Sequence, residues 1–86
     1  MQPYIDLKIT DSYIIREFRD NIDPIELMWH RDDEDRTIEI LEDTDWKIQL
    51  DNCLPTSIKE RIFIPRHEWH RVIKGDGTLK LKIHKK

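Results

Sequence analysis

Residues 28–41 read MWHRDDEDRTIEIL and join a polar half to a strand-like half. His30 and Asp32 form an H-x-D spacing, and the β-branched run RTIEIL follows a few residues later. Because side chains alternate between the two faces of a strand, a strand that turns Ile38 inward also carries Arg36 inward. An inward guanidinium is always charged and needs an anionic neighbour. We therefore expect Arg36 to face a polar pocket.

The rest of the chain indicates an all-β fold. Six further segments carry apolar or β-branched residues in strand-like patterns, at residues 4–9, 13–18, 46–51, 58–64, 69–74 and 78–84. Turn-forming residues separate them at intervals typical of a β-sandwich or barrel. In the first segment the alternation places Ile5, Leu7 and Ile9 together on a half-buried face. Residues 42–45 predict a hairpin between the flanking strands, and residues 75–77 predict a second one.

Composition limits the classes of function. A chain of 86 residues predicts one domain, residues 1–86, with a thin core. The formal net charge of −3 is unlike the strongly basic balance of nucleic-acid-binding domains. No segment approaches the ~20 apolar residues of a membrane span. Cys53 is the only cysteine, so an intrachain disulfide is excluded and a cytoplasmic location is expected.

Two motifs in this strand pattern resemble those of the small single-domain cupins. The first cupin motif begins H-x-H, continues to a glutamate and ends after a strand; the second reads P-x-G-x-x-H. Here Trp29-His30 matches the first histidine, residues 38–42 match the strand and its end, and Pro65 with His70 matches the second motif. The resemblance spans most of the chain from residue 28 to residue 83. It implies an antiparallel jelly-roll barrel, also called a double-stranded β-helix, with a site inside.

The sequence departs from the cupin motifs at four positions. Asp32 stands at the second histidine position, and Arg36 falls at the glutamate position. The glycine that ends the first motif is replaced by Asp43, and the glycine of the second motif is replaced by His67. The usual four-ligand cupin set is therefore incomplete.

His30, Asp32 and His70 nevertheless form a chemically sensible ligand set. Two histidines and one carboxylate are typical of non-haem iron sites, in which open positions remain for substrate or oxygen. We expect these three residues to bind a divalent metal, with Fe, Ni, Mn or Zn as candidates. If the protein is an enzyme, the metal acts as a Lewis acid or oxygen activator, and Glu34 is the candidate proton carrier.

Arg36 leaves two alternatives open. It either clamps the carboxylate or phosphate of a small anionic molecule bound to the metal, or it pairs with Asp32 or Glu34 in a pocket that has lost the metal. The second alternative describes a metal-free small-molecule binding module. A third alternative is a structural dimer formed through exposed strand edges, and a homodimer is compatible with all three.

Overall fold

The computed structural model describes residues 3–58 and 61–85, and it confirms the all-β prediction. Its strands are β1 (Ile5–Ile9), β2 (Tyr13–Phe18), β3 (Arg36–Ile40), β4 (Lys47–Leu50), β5 (Thr56–Ser57), β6 (Arg61–Ile64), β7 (His70–Ile73) and β8 (Leu79–Lys85). One turn of 3-10 helix, Pro24–Glu26, interrupts the loop after β2. Within these ranges, no helix is long and apolar enough to cross a membrane.

Two antiparallel sheets enclose the core. One has five strands in the order β1-β2-β8-β3-β6, and the other has three in the order β5-β4-β7. The central strand β8 pairs with β2 on one side and with β3 on the other. Its inward residues Leu79, Leu81 and Ile83 are buried, as the alternation predicts. This is the jelly-roll arrangement expected from the sequence.

Both predicted hairpins are wrong, because their turns cross from one sheet to the other. Strand β3 pairs with β6 and β8, whereas β4, which follows it in the chain, pairs with β5 and β7. Likewise β7 and β8, which flank residues 75–77, lie in different sheets. A true hairpin would put both apolar faces on the same side of one sheet, whereas a crossing turn lets them face each other across the core.

The side chain of Trp46 anchors the turn between β7 and β8 to the core. This side chain is fully buried, and its indole Nε1–H is shared between the carbonyl oxygens of Asp76 and Gly77, each at 3.2 Å. A buried indole N–H normally has such a partner. The turn between β7 and β8 is thereby held against the start of β4.

Strand β1 forms as predicted, but its apolar side chains are not half-buried on one face. Ile5, Leu7 and Ile9 are 43%, 50% and 64% exposed. β1 lies at the edge of the five-stranded sheet, and the three-stranded sheet opposite is narrower. A bulge between Asp6 and Lys8 also interrupts the register with β2. Alternation predicts a strand, but it does not reveal whether another sheet covers that strand.

Candidate metal centre

Backbone hydrogen bonds bring the two halves of the predicted site together. The N–H of His30 donates to the carbonyl of His70, and the N–H of His70 donates to the carbonyl of His30, both at 2.9 Å. His70 begins β7, whereas His30 lies in the loop that precedes β3. The N–H of His67 continues the contact by donating to the carbonyl of Asp32 at 2.7 Å. The H-x-D segment therefore lies alongside the distal histidine.

The side chains of His30, Asp32 and His70 converge. Each offers one ligand atom, and these atoms lie within 4.8 Å of one another. His70 Nε2 is 3.5 Å from Asp32 Oδ2, and the two imidazole centroids are 4.2 Å apart. His70 is buried, Asp32 is half-buried and His30 is exposed. Ligand bonds of 2.0–2.2 Å allow two ligands of one ion to lie up to about 4 Å apart, so a small closing movement would suffice.

Both histidines have one ring nitrogen engaged by the backbone. His70 Nδ1 lies 2.7 Å from the carbonyl oxygen of Glu68, and His30 Nδ1 lies 3.3 Å from that of Met28. A carbonyl can only accept, so each Nδ1 carries a proton, and Nε2 is the ring nitrogen that each histidine can offer to a metal. Burial lowers the pKa of His70 below its usual value and favours the neutral ring. Neutral imidazole with Nδ1–H held by a carbonyl is the form that binds metals, so the donor set fits a metal ion.

A cavity of about 520 Å³ opens beside these three side chains, between the two sheets. His30, Asp32, His70 and Arg36 contribute to its lining. Most of the remaining wall is apolar and comes from both sheets, for example Ile38 and Ile83 from one and Ile48 and Val72 from the other. This size and composition are typical of small-molecule sites, in which a few polar groups orient a ligand in an apolar enclosure.

Arg36 faces the cavity, as its parity with buried Ile38 predicts. Its Nη1 lies 3.7 Å from Asp32 Oδ1 and its Nη2 lies 3.8 Å from Glu34 Oε1. These distances exceed those of hydrogen bonds. Its Nε is buried and has no hydrogen-bond partner among the described residues. The guanidinium is therefore near two carboxylates but retains donor capacity for a further anion.

Comparison with solved structures identifies the architecture. No family model matches the chain, and no curated protein matches its sequence. A cupin domain from Bordetella pertussis Tohama I matches 100% of this chain and 97% of its own length, with a TM-score of 0.60 and 13% identity. The chain has the cupin fold.

Two further cupin-fold matches are larger proteins. KdgF from Halomonas sp. matches 95% of this chain with a TM-score of 0.64 and 11% identity, and the match covers 77% of KdgF. FeII HppE matches 86% of this chain with a TM-score of 0.64 and 17% identity. The chain spans only 41% of the length of FeII HppE. Identities this low establish the shared fold alone.

His67 stands at the position where the second cupin motif has a glycine, and its backbone conformation is unusual for a histidine. Its φ is 67°, in the left-handed region that glycine adopts without steric cost. It occupies the turn between Pro65 and Glu68, whose N–H donates to the Pro65 carbonyl at 3.2 Å. The backbone at this position therefore has a conformation that favours the glycine of the motif, although the residue here is His67.

Arg16 is a cavity residue that the sequence interpretation missed. It lies on β2 between Ile14 and Phe18, both buried, so the parity argument used for Arg36 would have found it. Its Nε and Nη2 donate to the two carboxylate oxygens of Asp6 at 2.7 and 3.2 Å. Its guanidinium carbon also lies 3.7 Å from the ring centroid of Tyr4. Unlike Arg36, Arg16 is hydrogen-bonded to a carboxylate within the protein.

The structure places two glutamates differently around the cupin cavity. Glu34, the predicted proton carrier, is 46% exposed beside Arg36 and does not contribute to the lining. Glu26, from the 3-10 helix, does line the cavity. The sequence offers no periodicity from which Glu26 could have been found, because its position depends on the path of an irregular loop.

Proposed function

We propose that this cupin-fold protein binds a divalent metal through His30, Asp32 and His70 and a small anionic molecule through Arg36. The observation that carries the proposal is the convergence of one carboxylate and two imidazoles whose Nδ1 atoms are already bonded to carbonyls. This donor set suits Fe, Ni, Mn or Zn. The name FeII HppE describes an iron-containing cupin-fold neighbour and supports iron as one candidate.

The residues around the metal position suggest how a bound anion would be handled. A metal ion held there would supply Lewis acidity to that anion. Arg36, on the neighbouring wall, would orient the anion through Nη1 and Nη2, which lie beyond hydrogen-bonding distance of Asp32 and Glu34. The apolar walls would exclude water and strengthen these interactions. Glu34 remains our candidate for proton transfer if the protein is an enzyme.

Metal content and thermal melting test the proposal. We expect the purified protein to carry a divalent metal, or to gain melting temperature when Fe²⁺, Ni²⁺, Mn²⁺ or Zn²⁺ is added. His30→Ala and His70→Ala should lose that gain. A wild-type protein that carries no metal and shows no shift with any of the four ions would refute metal binding.

A metal-free binding module is the second candidate. The positions of Asp32 and Glu34, 3.7 and 3.8 Å from Arg36, favour it because they partly neutralise the guanidinium without a metal. In that case small anions should raise the melting temperature of metal-stripped protein, and Arg36→Ala should abolish the shift. Metal-dependent anion binding would instead support the first candidate.

We also propose that the protein forms a cytoplasmic homodimer. The exposed apolar residues Ile5, Leu7 and Ile9 lie on edge strand β1, where a second copy could cover them. A dimer of this kind is compatible with both binding functions. Cys53 is exposed, and a reducing compartment would keep it as a free thiol.

A further inference from the structure

The cavity changes from polar to apolar along two strands that face each other. On β3, Arg36 is followed two residues later by Ile38, and on β7, His70 is followed two residues later by Val72. All four residues line the cavity, and two residues along a strand advance about 6.6 Å. A ligand held at the level of Arg36 and His70 therefore has an apolar level directly beyond it.

Strand pairing completes that apolar level from both sheets. Ile83 pairs with Ile38 in the larger sheet, and Ile48 pairs with Val72 in the smaller one. All four side chains are buried and contribute to the cavity wall. The wall at this level offers no side-chain hydrogen-bond donor or acceptor from these four residues. A charged or hydroxyl-rich group placed there would lose its hydration without compensation.

The two cavity arginines differ in how far the protein already pairs their charge. Arg16 donates from Nε and Nη2 to both carboxylate oxygens of Asp6 and is stacked on Tyr4. Arg36 has its nearest carboxylate oxygens at 3.7 and 3.8 Å, beyond hydrogen-bonding distance. Arg36 is therefore the preferred partner for an anionic head group.

We infer that the ligand is an amphiphilic anion with one charged head group, for which a monocarboxylate is the simplest probe. Its head group lies between Arg36 and the metal position, and its hydrocarbon tail lies between the Ile38–Ile83 and Ile48–Val72 pairs. This inference rests on the proposed anion-binding function and adds the class of anion. The cavity volume of about 520 Å³ is ample for such a molecule.

A homologous series of alkanoates tests the inference. Acetate, butanoate and hexanoate are titrated calorimetrically into Ni²⁺-loaded and metal-stripped wild-type protein, with succinate as the comparison for butanoate. We expect the affinity to rise about fourfold per methylene, or about fifteenfold from acetate to butanoate. Succinate has four carbons like butanoate, but it ends in a second carboxylate and should bind more weakly. An affinity independent of chain length, or succinate binding at least as tightly as butanoate, would overturn the inference.

Two variants test where the charged head group and the hydrocarbon tail of the ligand lie. Val72→Thr places a hydroxyl in the apolar level at nearly constant volume, so it should weaken hexanoate several-fold more than acetate. Arg36→Gln should weaken every member of the series by a similar factor, whereas Arg31→Gln, outside the cavity lining, should change none of them. Equal losses for acetate and hexanoate in Val72→Thr would contradict the proposed tail position.

The outcomes separate the ligand class from metal binding. If none of Fe²⁺, Ni²⁺, Mn²⁺ and Zn²⁺ binds but metal-stripped protein shows the chain-length dependence, the metal proposal fails and the ligand class stands. If Ni²⁺ binds but the affinity for alkanoates does not change with their chain length, the ligand class fails and the metal proposal stands. The wild-type series alone decides this point, so the test does not depend on the stability of any variant.

Discussion

His67 donates its backbone N–H to the carbonyl of Asp32 across 2.7 Å while holding a φ of 67°. A residue in a sterically costly conformation thus supports the segment that presents a predicted metal ligand. The bond uses only the backbone, so it does not require a histidine side chain. The side chain itself is exposed, with Nε2 3.7 Å from Asp33 Oδ1.

His67→Gly should stabilise the protein. Glycine removes about 1–2 kcal/mol of left-handed strain and costs about 0.5–1 kcal/mol in unfolded-state entropy, so the net gain should be about 0.5–1 kcal/mol. Urea unfolding measures it. Asn52, with a φ of 59°, is the control, because asparagine tolerates this region and Asn52→Gly should gain less. A destabilised His67→Gly would mean that the histidine side chain makes a contribution larger than the strain.

Asp32→Asn should weaken metal binding by at least about tenfold, because an amide is a poorer ligand than a carboxylate and carries no charge. Isothermal titration with Ni²⁺ or Zn²⁺ measures the change. Asp33→Asn is the matched control, since the side chain of Asp33 is fully exposed and outside the ligand group. Equal losses in the two variants would show that general electrostatic attraction, not coordination, holds the ion.

Gly75→Ala should be more damaging than Gly77→Ala. A Cβ on Gly75 would meet Asp45 Oδ1 and would lie 2.7 Å from the backbone nitrogen of Trp46, which cannot swing away. We expect a loss of about 2 kcal/mol or more. Gly77 has a φ of 71° and no atom within 4 Å of such a Cβ, so only backbone strain of about 1 kcal/mol should appear. Thermal or urea unfolding of the two variants gives the comparison, and the reverse order would contradict the packing of this turn.

Glu39 should titrate below the ordinary range of a glutamate. His84 Nε2–H donates to Glu39 Oε1 at 2.9 Å, and this bond is the main reason for the lowered pKa of Glu39. A carboxyl whose pKa is lower in the folded state contributes stability above its unfolded value of 4.5, and this contribution is lost as the pH falls through the folded value. Carboxyl NMR titration measures the pKa directly. In His84→Ala the pKa should rise toward its ordinary value, and an unchanged pKa would assign the shift to other charges.

Leu7→Lys should convert the proposed homodimer to a monomer. It places a charge among exposed apolar residues of β1 that a second copy would bury. Light scattering coupled to size exclusion gives the mass. Leu54→Lys is the control, because Leu54 is 83% exposed and lies in the loop between β4 and β5, outside β1. A wild-type protein that remains monomeric at high concentration would rule out this interface.

Alternation predicted which residues face the core wherever a strand is covered by the opposite sheet. Ile38, Ile48 and Leu81 are buried for that reason, and Arg36 was found by the same argument. The strand partners were not predictable, because local sequence describes a turn but not the sheet that the next strand joins. Residues 42–45 and 75–77 both show this limit. The exposure of β1 depends on sheet width, which is likewise a property of the whole chain.

The convergence of His30, Asp32 and His70 was predictable from the sequence, but the contacts that support these side chains were not. His30, Asp32 and His70 were found from spacing and motif resemblance. The carbonyls of Met28 and Glu68 that fix the two imidazoles depend on backbone paths that no residue type specifies. Arg16 was missed only because its strand was interpreted less strictly than β3.

His30 and His70 are held together by backbone hydrogen bonds, so their relative position does not depend on the side chains that they carry. The two hydrogen bonds place Cα atoms, whatever side chains those atoms carry. The backbone therefore sets where the side chains of residues 30 and 70 begin, and the residue types set which ion, if any, they would hold. Protein engineers could use these two positions to install a chosen metal.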